Sequence, residues 1–333
     1  MKLFNKNLEK KILYIAEIGV NHEGSIARCK KLIKEAKDAG ADVVKFQCYT
    51  SKFYVSREEE KFKKIKKFYF SELEFNQIIH YCNSIKMPFL FTPLSHDWLD
   101  FIRKKSNTVK VASGDLSFNF LLQEIVKRKF KIILSTGISN IKEIGNAIKI
   151  IKKEYKKNIN KNLILLHCVS NYPVKIEEAN TKSVKFLKDK FNLYVGYSNH
   201  VIGINACLTA ICQGAKVIEF HFTDNKNRKF RDHQLSLIKS EVKKLIYLGN
   251  LFNKLMGSYN KKVTLNAKSD KKIYSKGIIF SRDVKKNKRI KVKDLSYARP
   301  AKYFSANDIK KIIGKKLKKP AKSGFMVRKT DLV

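Results

Sequence analysis

Short β-branched runs alternate with amphipathic stretches along the first 257 residues. Eight runs read as strands: 12–18, 42–47, 88–92, 108–112, 131–135, 162–168, 193–198 and 216–222. Between them, apolar residues recur at helical spacing over 26–39, 74–85, 141–155 and 204–213, and a longer stretch, 235–256, follows the eighth run. Strands that alternate with helices imply a parallel sheet under a helical cover. Eight such units in about 250 residues predict an α/β fold, a closed (β/α)8 TIM barrel rather than an open doubly wound sheet. No GxGxxG follows the first strand, which argues against a Rossmann dinucleotide domain.

The pattern changes at Gly257. A polar, lysine-rich stretch over 258–276 reads as a linker. The remainder, 277–333, reads as a small α+β module, with strand-like runs at 277–281 and 325–327 and one helix over 305–313 capped by Ser305. The predicted division is a catalytic barrel over 1–257, a linker over 258–276 and a module over 277–333, whose core is thin on its own.

Charge alters this picture less than its size suggests. The chain carries 71 basic and 29 acidic residues, a formal net charge of +42. Only ten of the basic residues are arginine, and the lysines are spread through the whole chain beside many Ile, Asn, Phe and Tyr. That is the composition an AT-rich genome produces, whereas arginine is the usual choice for specific phosphate forks. No specific nucleic-acid partner is expected, and a polyanion-binding protein is the weaker reading. No apolar run reaches the roughly 18 to 20 residues of a membrane helix. The early run from Ile12 to Val20 carries Glu17, which excludes a secretory signal. The six cysteines contain no CxxC pair, so reduced thiols and a cytoplasmic, soluble protein without membrane partners are expected.

In a barrel of this type the C-terminal ends of the strands line the active site. Read in order, those ends carry Glu17, then Lys45 and Gln47, Thr92, Lys110 with Ser113, Ser135, His167, Ser198 with His200, and Glu219 with His221. Every strand delivers a polar group. Lys45 and Lys110 each lie among apolar neighbours, in VVKFQ and TVKVA, where an unpaired charge is costly. Three readings stand for them: rim lysines paired with Glu17 or Glu219, an anion clamp, or a Schiff-base lysine of a class I aldolase. The hydroxyls of Thr92, Ser113, Ser135 and Ser198 favour the clamp, because phosphate oxygens take several donors around a fixed cation. His200 and His221 fall at the ends of neighbouring strands. They are either satisfied core histidines or two ligands of a divalent metal, Mn²⁺, Mg²⁺ or Zn²⁺, with open positions.

The residues also carry a resemblance. AEIGVNHEGS at 16–25, VVKFQ at 43–47, FTPLS at 91–95, KVASGD at 110–115, ILSTG at 133–137, LLHCVSNYP at 165–173, GYSNH at 196–200 and VIEFHFTD at 217–224 occur in order. Together they resemble the sialic acid synthase family, the phosphoenolpyruvate-dependent nonulosonate synthases. ARP at 298–300 and GKKLKKPAKSG at 314–324 resemble that family's antifreeze-like (SAF) domain.

The resemblance implies condensation of phosphoenolpyruvate with N-acetylmannosamine or a related N-acetylated hexosamine, giving a nine-carbon 2-keto acid and phosphate. N-acetylneuraminate is the expected product type, with a legionaminic, pseudaminic or other nonulosonic acid as the alternative and a non-catalytic barrel further off. It implies Glu17, Lys45, Lys110, Glu219 and Asp115 as catalytic residues. Lys45, Thr92, Lys110, Ser113, Ser135, Ser170 and Ser198 would bind phosphoenolpyruvate, and Gln47, Tyr172, Asp232 and Arg299 the sugar. His200 and His221 would hold Mn²⁺ or Mg²⁺. A domain-swapped homodimer is implied, in which the antifreeze-like domain of one subunit, with Arg299, serves the barrel of the other. Asp115 stands where many members carry glutamate and Ser170 where some carry asparagine. Asn199 replaces the usual aspartate, removing a negative charge beside the metal histidine.

Overall fold

The computed structural model describes every residue except Phe230, and only the backbone of Arg231. The chain divides into two compact units, Met1–Gly257 and Ser258–Val333.

In the first unit eight parallel strands close into a barrel: β1 (Leu13–Glu17), β2 (Val43–Cys48), β3 (Phe89–Pro93), β4 (Thr108–Val111), β5 (Lys131–Ser135), β6 (Leu163–His167), β7 (Tyr194–Asn199) and β8 (Val217–His221). The barrel shuts where β8 pairs with β1. Each strand is followed by a helix that covers it: α1 (Ile26–Ala39), α2 (Glu72–Ser84), α3 (Leu99–Lys105), α4 (Asn119–Lys127), α5 (Ile141–Tyr155), α6 (Lys182–Phe191), α7 (Asn205–Cys212) and α8 (Lys239–Met256). Local chemistry starts these helices. Ser71 and Asn140 build reciprocal capping boxes with Glu74 and Glu143, and Ser25 accepts from the Arg28 amide. The long stretch expected over 235–256 is divided: a short helix, Arg231–Leu235, precedes α8, and residues 236–238 run extended between them.

Period-two alternation sorts the strand residues into two environments. Tyr14, Ala16, Val44, Phe46, Phe91, Ile132, Leu134, Leu165 and Phe220 face the helices within the main core. Leu13, Ile15, Val43, Leu90, Ile133, Ile164, Leu166 and Val217 fill the lower barrel interior. Burying each such leucine or isoleucine contributes roughly 1.5–3 kcal/mol. An N-terminal hairpin, Lys2–Leu3 with Lys6–Asn7, adds Leu3 and Leu8 to that interior layer and closes it from below. Gly196 also faces inward. A Cβ there would lie 2.3 Å from the Val217 carbonyl oxygen, so only glycine lets β7 and β8 approach. Two residues further along the same inward rows the side chains become polar, and that second layer is the site.

The second unit builds its own small core from Ile278, Phe280, Val284, Ile290, Leu295, Phe304, Ile312, Leu317 and Val327. Strands β9 (Gly277–Phe280) and β10 (Leu295–Ala298) pair antiparallel, and Met326 bridges to Ile279. The helix expected over 305–313 is a tighter 3₁₀ helix, Ala306–Lys311, begun by Ser305 in a capping box with Asp308. The stretch expected as a linker contains helix α9 (Leu265–Tyr274), capped by Thr264. It buries none of its residues, which is why no apolar stripe announced it. Among the described residues no helix is long and apolar enough to cross a membrane.

Candidate active site

The upper layer of the barrel interior encloses a cavity of about 80 Å³, lined by Glu17, Lys45, Gln47, Thr92, Lys110, Ser113, Ser135, Cys168, Tyr172, Ser198, His200, Glu219 and His221 among others. Strand register places these groups. Glu17 pairs in register with Lys45 on one side and His221 on the other, Gln47 with Thr92, and Glu219 with Ser198. Each lies two or four residues above a lower interior position on its own strand, so one inward row supplies both the core and the chemistry.

The two lysines differ. Lys45 Nζ lies 2.9 Å from Glu17 Oε2 and 2.9 Å from Glu219 Oε1. Burial alone would lower its pKa, but the two carboxylates outweigh that and hold it well above the usual lysine value. Lys110 Nζ donates to Ser135 Oγ at 2.6 Å and to the Val111 carbonyl at 3.0 Å, with Glu219 Oε1 at 3.9 Å. Burial, with Lys45 nearby, lowers its pKa in spite of the attraction of Glu219. Lys45 is thus the lysine held by two carboxylates at hydrogen-bond distance, while Lys110, only 2% exposed, hydrogen-bonds to neutral oxygens, has Glu219 at 3.9 Å and keeps a donor for an anion.

Glu219 is the hub. Its Oε1 also accepts from Ser198 Oγ at 3.0 Å, and the two lysines with this hydroxyl overcome its burial to keep the carboxyl below the usual range. Gln47 donates to Glu17 Oε1 at 3.0 Å. Ser113 and Ser170 share a hydrogen bond of 2.8 Å beside Gly137. A Cβ on Gly137 would meet Ser170 Oγ at 2.5 Å and Cys168 Sγ at 2.8 Å, so the missing side chain keeps this corner open. In the cavity wall Thr92 Oγ1, Glu219 Oε2 and His221 Nδ1 are buried without a hydrogen-bond partner among the described residues. Unsatisfied groups of this kind mark a surface built to receive polar ligand atoms.

The two imidazoles lie 5.5 Å apart between ring centroids. His200 Nδ1 sits 2.6 Å from the Val169 carbonyl, which accepts only, so this nitrogen carries the proton and Nε2 presents its lone pair, 3.0 Å from the Tyr172 hydroxyl. Burial, and then His221, hold the His200 pKa down at about 3, so the ring is neutral. A neutral imidazole with a fixed tautomer beside a second imidazole with an unpartnered buried nitrogen fits a divalent ion. No group of three or more His, Cys, Asp or Glu side chains suited to a metal occurs among the described residues. The ion would therefore keep most of its positions for water or substrate oxygens.

Two other expected residues, Asp115 and Asp232, lie next to the cavity without lining it. Asp115 lies on the turn after β4, half-buried, with its pKa pushed up to about 6 chiefly by burial. Asp232 Oδ2 is 3.7 Å from His221 Nδ1. Arg299 is exposed in the second unit. His167, read as a mouth residue from its place at a strand end, instead faces outward: its neighbour Leu166 takes the inward position, and its Nε2 meets the Ala179 carbonyl at 3.0 Å. Asn199 also faces away from the imidazoles. Its amide donates to the carbonyls of Val201 and Gly203 at 2.8 and 3.2 Å, which an aspartate could not do. The exchange thus shapes the turn after His200 rather than the charge beside it. Cys168 and Gly137 were missed; the inward step of two from Leu166 would have found the cysteine.

The NeuB family model matches residues 32–261. The N,N'-diacetyllegionaminic acid synthase of Campylobacter jejuni is 34% identical over 334 residues, 96% of this chain and 99% of that protein. The pseudaminic acid synthase of the same organism is 30% identical over 347 residues, 99% of each. A crystal structure of an N-acetylneuraminic acid synthetase from Leptospira borgpetersenii superposes with a TM-score of 0.74 at 30% identity, over 78% of this chain and 90% of that one.

Proposed function

The chain belongs to the NeuB family, and on that premise we propose that it condenses phosphoenolpyruvate with the open-chain aldehyde of an N-acylated hexosamine. Carbon 3 of phosphoenolpyruvate attacks the aldehyde, whose oxygen takes up a proton; water adds at the resulting cationic carbon 2 and gives up a proton; and the bond from carbon 2 to the phosphate oxygen then breaks, leaving a nine-carbon 2-keto acid and inorganic phosphate. One observation carries this reading: a buried lysine bonded only to neutral oxygens and a pair of imidazoles converge on one cavity.

The residues divide the work. Lys110, Ser135, Ser113 and Ser170 hold the phosphate, with Gly137 leaving room for it. Lys45 and the unpartnered Thr92 hydroxyl take the carboxylate, and Ser198 steadies Glu219. Glu219 and Glu17 serve proton movement and the sugar hydroxyls, while Gln47, Tyr172 and Asp232 contact the sugar. His200 and His221 would hold Mn²⁺ or Mg²⁺, which polarises a bound carbonyl oxygen. The family resemblance supports a homodimer with exchanged C-terminal domains, Arg299 reaching the N-acyl group.

For the acceptor we favour a 2,4-diacetamido sugar of the legionaminic type, supported by the Campylobacter relative that spans nearly the whole chain. N-acetylmannosamine is the second reading, supported by the Leptospira structure. Phosphate release from phosphoenolpyruvate with Mn²⁺ or Mg²⁺, across N-acetylmannosamine, its 6-phosphate and the 2,4-diacetamido sugars, tests both with product mass read in parallel. Sugar-dependent release with a nine-carbon keto acid is expected; no release with any sugar overturns the reading.

A further inference from the structure

Side chains of Asn21, Arg28 and His233 tie the chain after β1 to the chain after β8, which meet only because the barrel closes between those strands. Asn21, fully buried, donates from Nδ2 to the Phe222 carbonyl and to Ser236 Oγ, both at 2.9 Å. Arg28 donates to the Asn21 carbonyl at 2.8 Å and to Asp224 Oδ1 at 2.7 Å. His233, also fully buried, sits between Thr223 Oγ1, 2.7 Å from its Nδ1, and Glu23 Oε1, 3.0 Å from its Nε2. A carboxylate only accepts, so Nε2 carries the ring proton and Nδ1 accepts from the threonine hydroxyl. Glu23 reaches His233 from a backbone φ of +51°, a left-handed conformation uncommon outside glycine that persists where the surroundings enforce it.

What these links hold is the short helix Arg231–Leu235, which carries Asp232. A helix of five residues has no stability of its own, so its neighbours set where it lies. His233 anchors it to both loops. Ser236 donates to the Asp232 carbonyl at 2.6 Å while accepting from Asn21. The result places Asp232 Oδ2 3.7 Å from His221 Nδ1, the unpartnered nitrogen at the end of β8.

We propose that His233, with Glu23 and Asn21, is a positioning residue for the acceptor sugar: it holds Asp232 at the cavity mouth without touching substrate. This rests on the reading of Asp232 as a sugar contact. Lys110 and Lys45 stand on β4 and β2, outside the network, so phosphoenolpyruvate binding is independent of it.

The test measures KM for each substrate separately, in the full chain, for Asp232→Ala, His233→Ala, His233→Gln, Glu23→Ala and the Asp232→Ala/His233→Ala double variant, with thermal unfolding of each. His233→Ala and Glu23→Ala raise the acceptor KM about tenfold and leave the phosphoenolpyruvate KM within about twofold. His233→Gln, which keeps a donor toward Glu23, recovers most of the loss. The double variant is no worse than Asp232→Ala, because one residue acts through the other. Additive losses, parallel rises in both KM values, or an unchanged acceptor KM in Glu23→Ala overturn the proposal. Glu23 is partly exposed, so its variant carries the test if His233→Ala does not fold. A wild-type chain inactive with every sugar removes the proposed function, and this inference with it; an active wild type without the KM split removes the positioning role alone.

Discussion

The ammonium of Lys45 lies 2.9 Å from Oε1 of Glu219, although the two stand on β2 and β8 with β1 between them. The pair therefore bridges the closing seam of the barrel, and Glu17 on β1 completes a triad beneath the cavity.

Removing Lys45 leaves two carboxylates buried against each other. Lys45→Met is expected to lose about 3–5 kcal/mol of stability in urea unfolding as well as its turnover. Lys45→Met/Glu219→Gln, which leaves one buried carboxylate instead of two, should recover part of the stability and none of the activity.

Lys110 bonds to Ser135 and to a backbone carbonyl, so its loss strands no charge at hydrogen-bond distance. Lys110→Ala should abolish turnover while its unfolding midpoint stays closer to wild type than that of Lys45→Met. Near-normal activity in this variant would take Lys110 out of the mechanism.

Gly137→Ala places a methyl group against Ser170 Oγ and Cys168 Sγ. The phosphoenolpyruvate KM should rise at least about tenfold with the acceptor KM little changed. Equal effects on the two would mean that this corner does not receive the phosphate.

The Asp115 carboxyl titrates at about 6 in the fold against a usual 3.8, mainly through burial. Between those values the unfolded chain binds fewer protons, so this group makes stability fall as pH rises from about 4 to 6. The ionised form costs on the order of 3 kcal/mol at neutral pH. Asp115→Asn should be more stable than wild type near pH 7.5 and lose that advantage near pH 3.5, measured by urea titration at each pH.

Treatment with EDTA should abolish phosphate release, and Mn²⁺ or Mg²⁺ should restore it. His221→Ala should bind Mn²⁺ at least about tenfold more weakly by calorimetry, with an unchanged fold by circular dichroism. Full activity after exhaustive chelation would remove the metal from the reading.

Much of the site was legible because a strand alternates faces with period two. Once eight strands were placed, the inward rows Ile15–Glu17, Val43–Lys45–Gln47, Leu90–Thr92, Ile133–Ser135 and Val217–Glu219–His221 were set by counting, and the polar member always came last. Counting from strand ends alone misled at His167, one residue out of phase. The helix α9 escaped because a helix that buries nothing leaves no periodic apolar signal.

The sequence by itself determined the barrel, the order of its strands and which side chains could reach the mouth, because those follow from local periodicity. Tertiary closure decided the rest. Which lysine is neutralised by carboxylates and which is left for an anion depends on β1 lying between β2 and β8, and the bond from Asn21 to Ser236 joins positions 215 apart in the chain. Such contacts depend on side-chain reach across a closed sheet, which no local pattern encodes.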